Sequence, residues 1–214
     1  MGRAILALMG DEAAAARSVA YAAVLNENNG KRPRGTPADA FRAAVKAFED
    51  GRRLDMGRLA SQLGIAKATL YRWTGPREQL IGEVLSYLSE RGWRQALAAA
   101  TELEGAERVL TVARHFLDTV VAFEPLRRFV ENETPLAFRV LTVRGGAVEG
   151  TVSRQIAEML EEERKRGTLT LRAPAVDLAY AATKVSEGFL YSDPLANIDP
   201  DIDAAMGIIR LLYQ

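Results

Sequence analysis

Apolar residues along this chain recur at spacings of three and four, and Gly or Pro stands at the interruptions. That is the period of a helix; no alternating run is longer than Thr168 to Leu171, so the pattern predicts an all-α fold. An Ala-rich helix is expected over residues 11 to 27, followed by Asn28-Asn29-Gly30 and the basic connector Lys31-Arg32-Pro33-Arg34-Gly35. Thr36 is an N-cap with proline after it at the first helical position, opening a helix that buries Phe41, Ala44, Val45 and Phe48 and stops at Gly51. Asp55 caps a second helix, with Met56, Leu59, Ala60 and Leu63 on one side before Gly64 ends it. A third, short helix covers about 66 to 73. Gly75-Pro76 then precede a long helix whose Leu80, Val84, Leu88 and Trp93 share a stripe, as in a helix joining two domains. Further helices are expected at about 105–123, 126–133, 135–144, 147–166, 174–192 and 201–213. The division that follows is an N-terminal extension over 1–30, a small module over 31–80 and a larger helical domain over 81–214.

Composition narrows the classes. At 214 residues and 48% apolar content the chain can bury a large core, and it has no cysteine for a disulfide, a thiolate metal site or a cysteine nucleophile. The short apolar run Ala4 to Met9 gives way to Asp11-Glu12 and does not read as a signal peptide, and no stretch approaches a bilayer span. A cytoplasmic location without a membrane partner is the expectation. Net charge is zero, yet residues 31–80 hold eleven Lys or Arg against five Asp or Glu, so the other 164 residues carry the six compensating negative charges. One basic module on an otherwise acidic chain fits a phosphate-bearing partner.

The segment from Leu54 to Leu80 carries the chemistry. Two short helices with Gly64 between them, joined by Leu59, Leu63, Ile65 and Leu70, make a helix-turn-helix with its opposite face free. On the second helix Lys67, Ala68, Thr69, Tyr71 and Arg72 face outward, a set able to contact base edges and phosphates in a major groove. Taken singly, Tyr71 reads as a packed aromatic, Arg72 as a solvated charge and Lys67 as a surface residue. The run Leu-Ala-Ser-Gln-Leu-Gly-Ile-Ala-Lys-Ala-Thr-Leu-Tyr-Arg-Trp at 59–73, with Arg-Glu-Gln-Leu at 77–80, resembles the signature of the TetR family of bacterial transcriptional regulators. The motif resemblance covers about residues 36 to 85. It implies base contacts from Lys67 and Ala68, and phosphate contacts from Thr69, Tyr71 and Arg72. Arg77 stands where the family usually has a lysine at the start of the fourth helix, at the positive end of the helix dipole. Two positions depart from the pattern: Ala66 replaces the usual Ser or Thr cap, and Thr74 replaces an aromatic whose volume Trp73 can supply.

The resemblance further implies a homodimer bound to double-stranded operator DNA, a small-molecule effector in the C-terminal domain and repression as the commoner behaviour. Candidates for lining a cavity are Trp93, Phe116, Phe123, Phe129, Phe138 and Tyr180, with Glu133, Arg144, His115, Asn132, Arg139 and Glu187 as polar groups that could orient a lipophilic or amphipathic ligand. Apolar stripes at Val176, Leu178, Ala179, Ala182, Val185, Phe189 and at Ile202, Ala205, Met206, Ile209, Leu212 suit a partner subunit or an ordinary core. An enzyme is the less favoured class. The carboxylates Glu161-Glu162-Glu163 point in different directions on a helix and, with Lys165 and Arg166, read as a solvated face. No phosphate loop, nucleophile–base arrangement, metal site or cofactor motif is visible. A helix-turn-helix regulator without an effector is the other reading.

Overall fold

The computed structural model describes residues 17–25, 35–192 and 199–213. Those residues are mostly helical and no strand occurs among them. Of the connector expected at 28–35 only Gly35 is described, and of the helix expected at 11–27 residues 11–16 and 26–27 lie outside the described residues. What is described of the latter is α1, Val19–Leu25, which buries Ala20 and Tyr21. The Tyr21 ring stacks on Phe41 at 4.8 Å between centroids and meets Tyr87 edge-on. The Ser18 N–H and hydroxyl both donate to the carboxylate of Glu83, which is buried among these elements.

Helix α2, Pro37–Glu49, begins with a reciprocal cap. Thr36 accepts from the Asp39 N–H at 3.2 Å and Asp39 accepts from the Thr36 N–H at 3.0 Å. The Thr36 N–H, and next the Arg42 guanidinium, hold the Asp39 carboxyl down at about 2. Helix α3, Met56–Leu63, starts at Asp55, whose side chain accepts from the Arg58 N–H. It ends in a left-handed Gly64: the Ile65 N–H reaches the Ala60 carbonyl and the Gly64 N–H the Ser61 carbonyl, the paired bonds of a Schellman stop. That stop turns the chain sharply into α4, Lys67–Thr74.

The long helix α5, Arg77–Ala99, has 23 residues and therefore runs about 35 Å. Its first half places Leu80, Ile81 and Val84 in one core with Phe41, Leu59 and Leu70, while its second half places Trp93 and Ala96 in another. The boundary expected near residue 80 thus falls inside a continuous helix. The first core also takes in Leu126, Phe129, Val140 and Val148 from α7 (Glu124–Asn132), α8 (Thr134–Thr142) and the start of α9 (Ala147–Arg166). The second is closed by α6 (Gly105–Ala122), α10 (Ala175–Glu187, continued by a π-helical turn to Ser192) and α11 (Ile202–Leu212).

Glu163 departs from the solvated face expected for it. It is fully buried, accepting from the Gly105 N–H at 2.6 Å, from Arg108 at 2.5 Å and from the Thr168 hydroxyl at 2.7 Å. The carboxylate therefore ties the end of α9 to the first turn of α6, where free N–H groups favour a negative charge. Burial acts to raise its pKa, but these donors together hold it below the usual carboxylate range. Gly105 has a φ of +59°, and a Cβ there would lie 2.5 Å from the Thr168 carbonyl oxygen.

Candidate nucleic-acid interface and candidate ligand cavity

Helix α4 is held from behind and open in front. Leu70 is fully buried, with Leu59 and Ala60 of α3 buried against the same core and Leu63, Ile65 and Trp73 packed around it. Thr74, where an aromatic was expected, is fully buried and donates its hydroxyl to the Leu70 carbonyl, so a small side chain fits and Trp73 takes the neighbouring volume. Ala66 provides no side-chain cap. The outward side carries Lys67, Ala68, Tyr71 and Arg72, all exposed, with Thr69 half-buried. Tyr71 keeps 44% of its surface in solvent, on the same side as Lys67 and Arg72. Arg58 on α3 is exposed on the same module, and none of Arg58, Lys67 and Arg72 forms a salt bridge among the described residues.

Arg77, expected as a phosphate donor, has partners within the chain. Its guanidinium makes two parallel bonds to the Glu133 carboxylate, at 2.7 and 2.6 Å, and a third to the Leu54 carbonyl. Arg53 approaches the same carboxylate at 3.5 Å. Hydrogen bonds from Arg77, ahead of an opposing burial effect, lower the Glu133 pKa. Arg77 and Glu133 therefore clasp the start of α5 to the junction of α7 and α8. Glu133, expected among ligand-orienting groups, is in this clasp and not on the wall of the cavity in the C-terminal half.

That cavity lies between the second half of α5 and helices α6, α9, α10 and α11, with a volume of about 70 Å³. Trp93 and Phe116 line it, their rings 5.5 Å apart and edge-to-face, and Glu187 contributes a polar wall. The other expected lining residues are elsewhere. Phe123 and Phe129 pack on Phe48 of α2 and join α7 to the helix-turn-helix core. Phe138 is half-buried outside the cavity wall. Arg144 is exposed and lies over the Tyr180 ring at 4.6 Å, with Lys184 5.4 Å from the same ring, so this stack is also outside the wall. His115, Asn132 and Arg139 are exposed, and Arg139 pairs with Glu78. One wall residue carried no signal in the sequence: Glu149, in the first turn of α9, is 1% exposed and faces the cavity. A charge at that position of a helix reads from sequence as a solvated N-terminal acid.

The stripes considered for a partner subunit are mostly used within the chain. Leu178, Ala179, Ala182, Ile202 and Ile209 are buried in the second core, and Ala205 is buried as well, because α10 and α11 must close the cavity over α6 and α9. The apolar surface that α11 leaves outside is Ile208 and Leu211, 42% and 69% exposed. Among the described residues no helix is long and apolar enough to cross a membrane.

Residues 104–214 match the family model of the tetracyclin repressor-like C-terminal domain. A comparison with curated proteins found no match. Among solved structures, the transcriptional repressor QsdR of R. erythropolis, from the TetR family, is 30% identical over 82% of this chain and 93% of its own, with a TM-score of 0.77. The fatty acid degradation regulator FadR of Bacillus halodurans shares the fold at 13% identity, covering 86% of this chain and 96% of its own, with a TM-score of 0.52. The matched C-terminal half, the similarity to QsdR over most of both chains and the helix-turn-helix together place this chain in the TetR family of transcriptional regulators.

Proposed function

We propose that the protein is a homodimeric repressor whose α4 enters the major groove of operator DNA and whose cavity binds a small effector that releases it. The observation that carries the reading is the front of α4: Tyr71 exposed beside Lys67 and Arg72, cations without a salt bridge among the described residues. Lys67 helps lower the Asp55 pKa without forming a salt bridge to it, and a charged donor in that state can still reach phosphate. In this reading Lys67 and Ala68 touch base edges, and Thr69, Tyr71 and Arg72 fix the helix on the backbone. Residues 31–80 act as the DNA module and 81–214 as the regulatory domain. QsdR is itself a repressor, which supports the same direction of control here.

Two recognition helices are needed to read successive major grooves about 34 Å apart, and the exposed Ile208 and Leu211 on α11 give a second copy an apolar surface to cover. The link between sites is α5. Leu80, Ile81 and Val84 belong to the core behind α4, whereas Leu85, Ser89 and Trp93 line the cavity. At about 70 Å³ the packed cavity is well under the several hundred Å³ that an organic ligand of ordinary size fills, so an effector must push the helices apart. Displacing α5 changes the spacing of the two α4 helices, and operator affinity falls by the effector's preference for the opened state.

The test is to incubate the protein with fragments of its own genome, recover and sequence the bound DNA, and run Tyr71→Ala with Arg72→Ala in parallel. A few near-palindromic sites, enriched by the wild type and lost by the variant, are expected. The same featureless pool from both would overturn the reading.

A further inference from the structure

The cavity wall is apolar except at a few points, and two of those points are carboxylates. Glu149 projects from the first turn of α9 and Glu187 from the last turn of α10. Each has one oxygen satisfied: Glu149 Oε2 accepts from the Gly145 N–H at 2.6 Å, and Glu187 Oε2 accepts from Lys184 Nζ at 2.8 Å. The second oxygen of each, Oε1, is buried and has no donor among the described residues. Glu149 is 99% removed from solvent and lines the cavity. An acceptor kept in this condition is costly unless something in the cavity supplies a proton donor.

The charge count selects among donors. Two carboxylates face one neighbouring cation, Lys184, because Arg144 lies outside on Tyr180. Burial raises the Glu187 carboxyl, Lys184 opposes this, and the Glu149 charge adds to the rise, so the two acids feel each other. A cationic head relieves that repulsion and offers an N–H to each free oxygen. A hydroxyl offers a single proton and no charge, and a carboxylate head adds a third negative group. Trp93, Phe116, Leu117 and Met159 provide apolar surface for the rest of the molecule.

We propose that Glu149 and Glu187 recognise a protonated amine at the head of a small apolar effector. This rests on the cavity being the effector site. It also gives the ligand a lever, since the α9 turn that carries Glu149 packs tightly on α5. The Ser86 hydroxyl donates to the Ala147 carbonyl at 2.5 Å, and a Cβ on Gly82 would lie 3.3 Å from the Ala147 methyl. An ammonium group that draws Glu149 inward moves α5 through this contact.

The experiment uses the full chain with n-hexylamine, 1-hexanol and hexanoate at equal concentrations and neutral pH, measuring thermal shift and release of bound operator. Wild type should be stabilised by the amine at concentrations at least tenfold below those needed for the alcohol, and not by hexanoate. Glu149→Gln and Glu187→Gln should each reduce the amine-over-alcohol preference about tenfold while still binding operator. Equal stabilisation by all three compounds, or by none, on the wild type would overturn the proposal without recourse to the variants. Failure of the underlying reading looks different: the amine is preferred and bound, yet operator affinity does not change.

Discussion

The clasp between Arg77 and Glu133 decides whether this arginine serves the DNA or the fold, and the two roles separate cleanly in measurement. Arg77 and Glu133 side chains are 22% and 17% exposed and joined by two short parallel bonds. Exposed pairs contribute about 0–1 kcal/mol and breaking fully buried ones costs about 3–5 kcal/mol, so a pair this far buried should contribute about 2 kcal/mol. For a chain of this length that is a fall in Tm of about 4–8 °C. Arg77→Gln and Glu133→Gln are both expected to show it by thermal denaturation. On operator DNA, Arg77→Gln should leave the slope of log affinity against log salt unchanged. Arg72→Gln should reduce it by about 0.9 per lost phosphate contact, or about two for a dimer. The pH dependence has a definite sign. Because the Glu133 pKa is lowered in the folded protein, the stabilisation is complete above the unfolded value near ~4.3 and is lost as pH falls through the folded value. The Tm gap between wild type and Glu133→Gln should therefore hold down to about pH 5 and close below it. An Arg77→Gln protein with unchanged Tm and a slope reduced by about two would refute the reasoning and return Arg77 to the DNA.

Other perturbations test the fold that positions the site. Glu163→Ala removes the clasp between α9 and α6 and leaves Arg108 without its nearest partner, so urea denaturation should show a loss of about 3–5 kcal/mol; a loss under about 1 kcal/mol would contradict the account of that carboxylate. Gly64→Ala and Gly105→Ala both force alanine into positive φ, but only at Gly105 does the new methyl meet a backbone oxygen. The first should cost about 1 kcal/mol and the second at least about twice that, and equal costs would mean that Thr168 gives way. Ala66→Ser supplies the missing cap of α4 and should raise stability by about 1 kcal/mol in the absence of DNA, seen as a higher Tm.

Much of the fold was legible because local rules and tertiary packing agree in it. Thr36-Pro37, Asp55 and Gly64 announce helix ends through hydrogen bonds that their own neighbours complete, and the structure has those bonds. The seam of the helix-turn-helix is equally local, since Leu59, Leu63, Ile65 and Leu70 meet across a single turn. What sequence could not convey was which partner a side chain finds at long range. Glu163 reads as one of three solvated glutamates until α6 is seen to begin against it, 58 residues away. Nothing near Arg77 in sequence announces the partner that α7 and α8 bring to it, Glu133, 56 residues away. The cavity was the least legible part. Phe123 and Phe129 have the same composition signal as Phe116, yet they pack on Phe48, while Glu149 is a wall residue only because α9 enters beside α5.

The central claim is that two copies of α4 read adjacent grooves, and hydroxyl-radical footprinting on an enriched genomic fragment tests it most directly. The account predicts two protected half-sites about 10 base pairs apart, or a multiple of that spacing, on one face of the duplex, with protection lost in Arg72→Ala and weakened when the effector is added. A single protected stretch without two-fold symmetry, unchanged in Arg72→Ala, would contradict it.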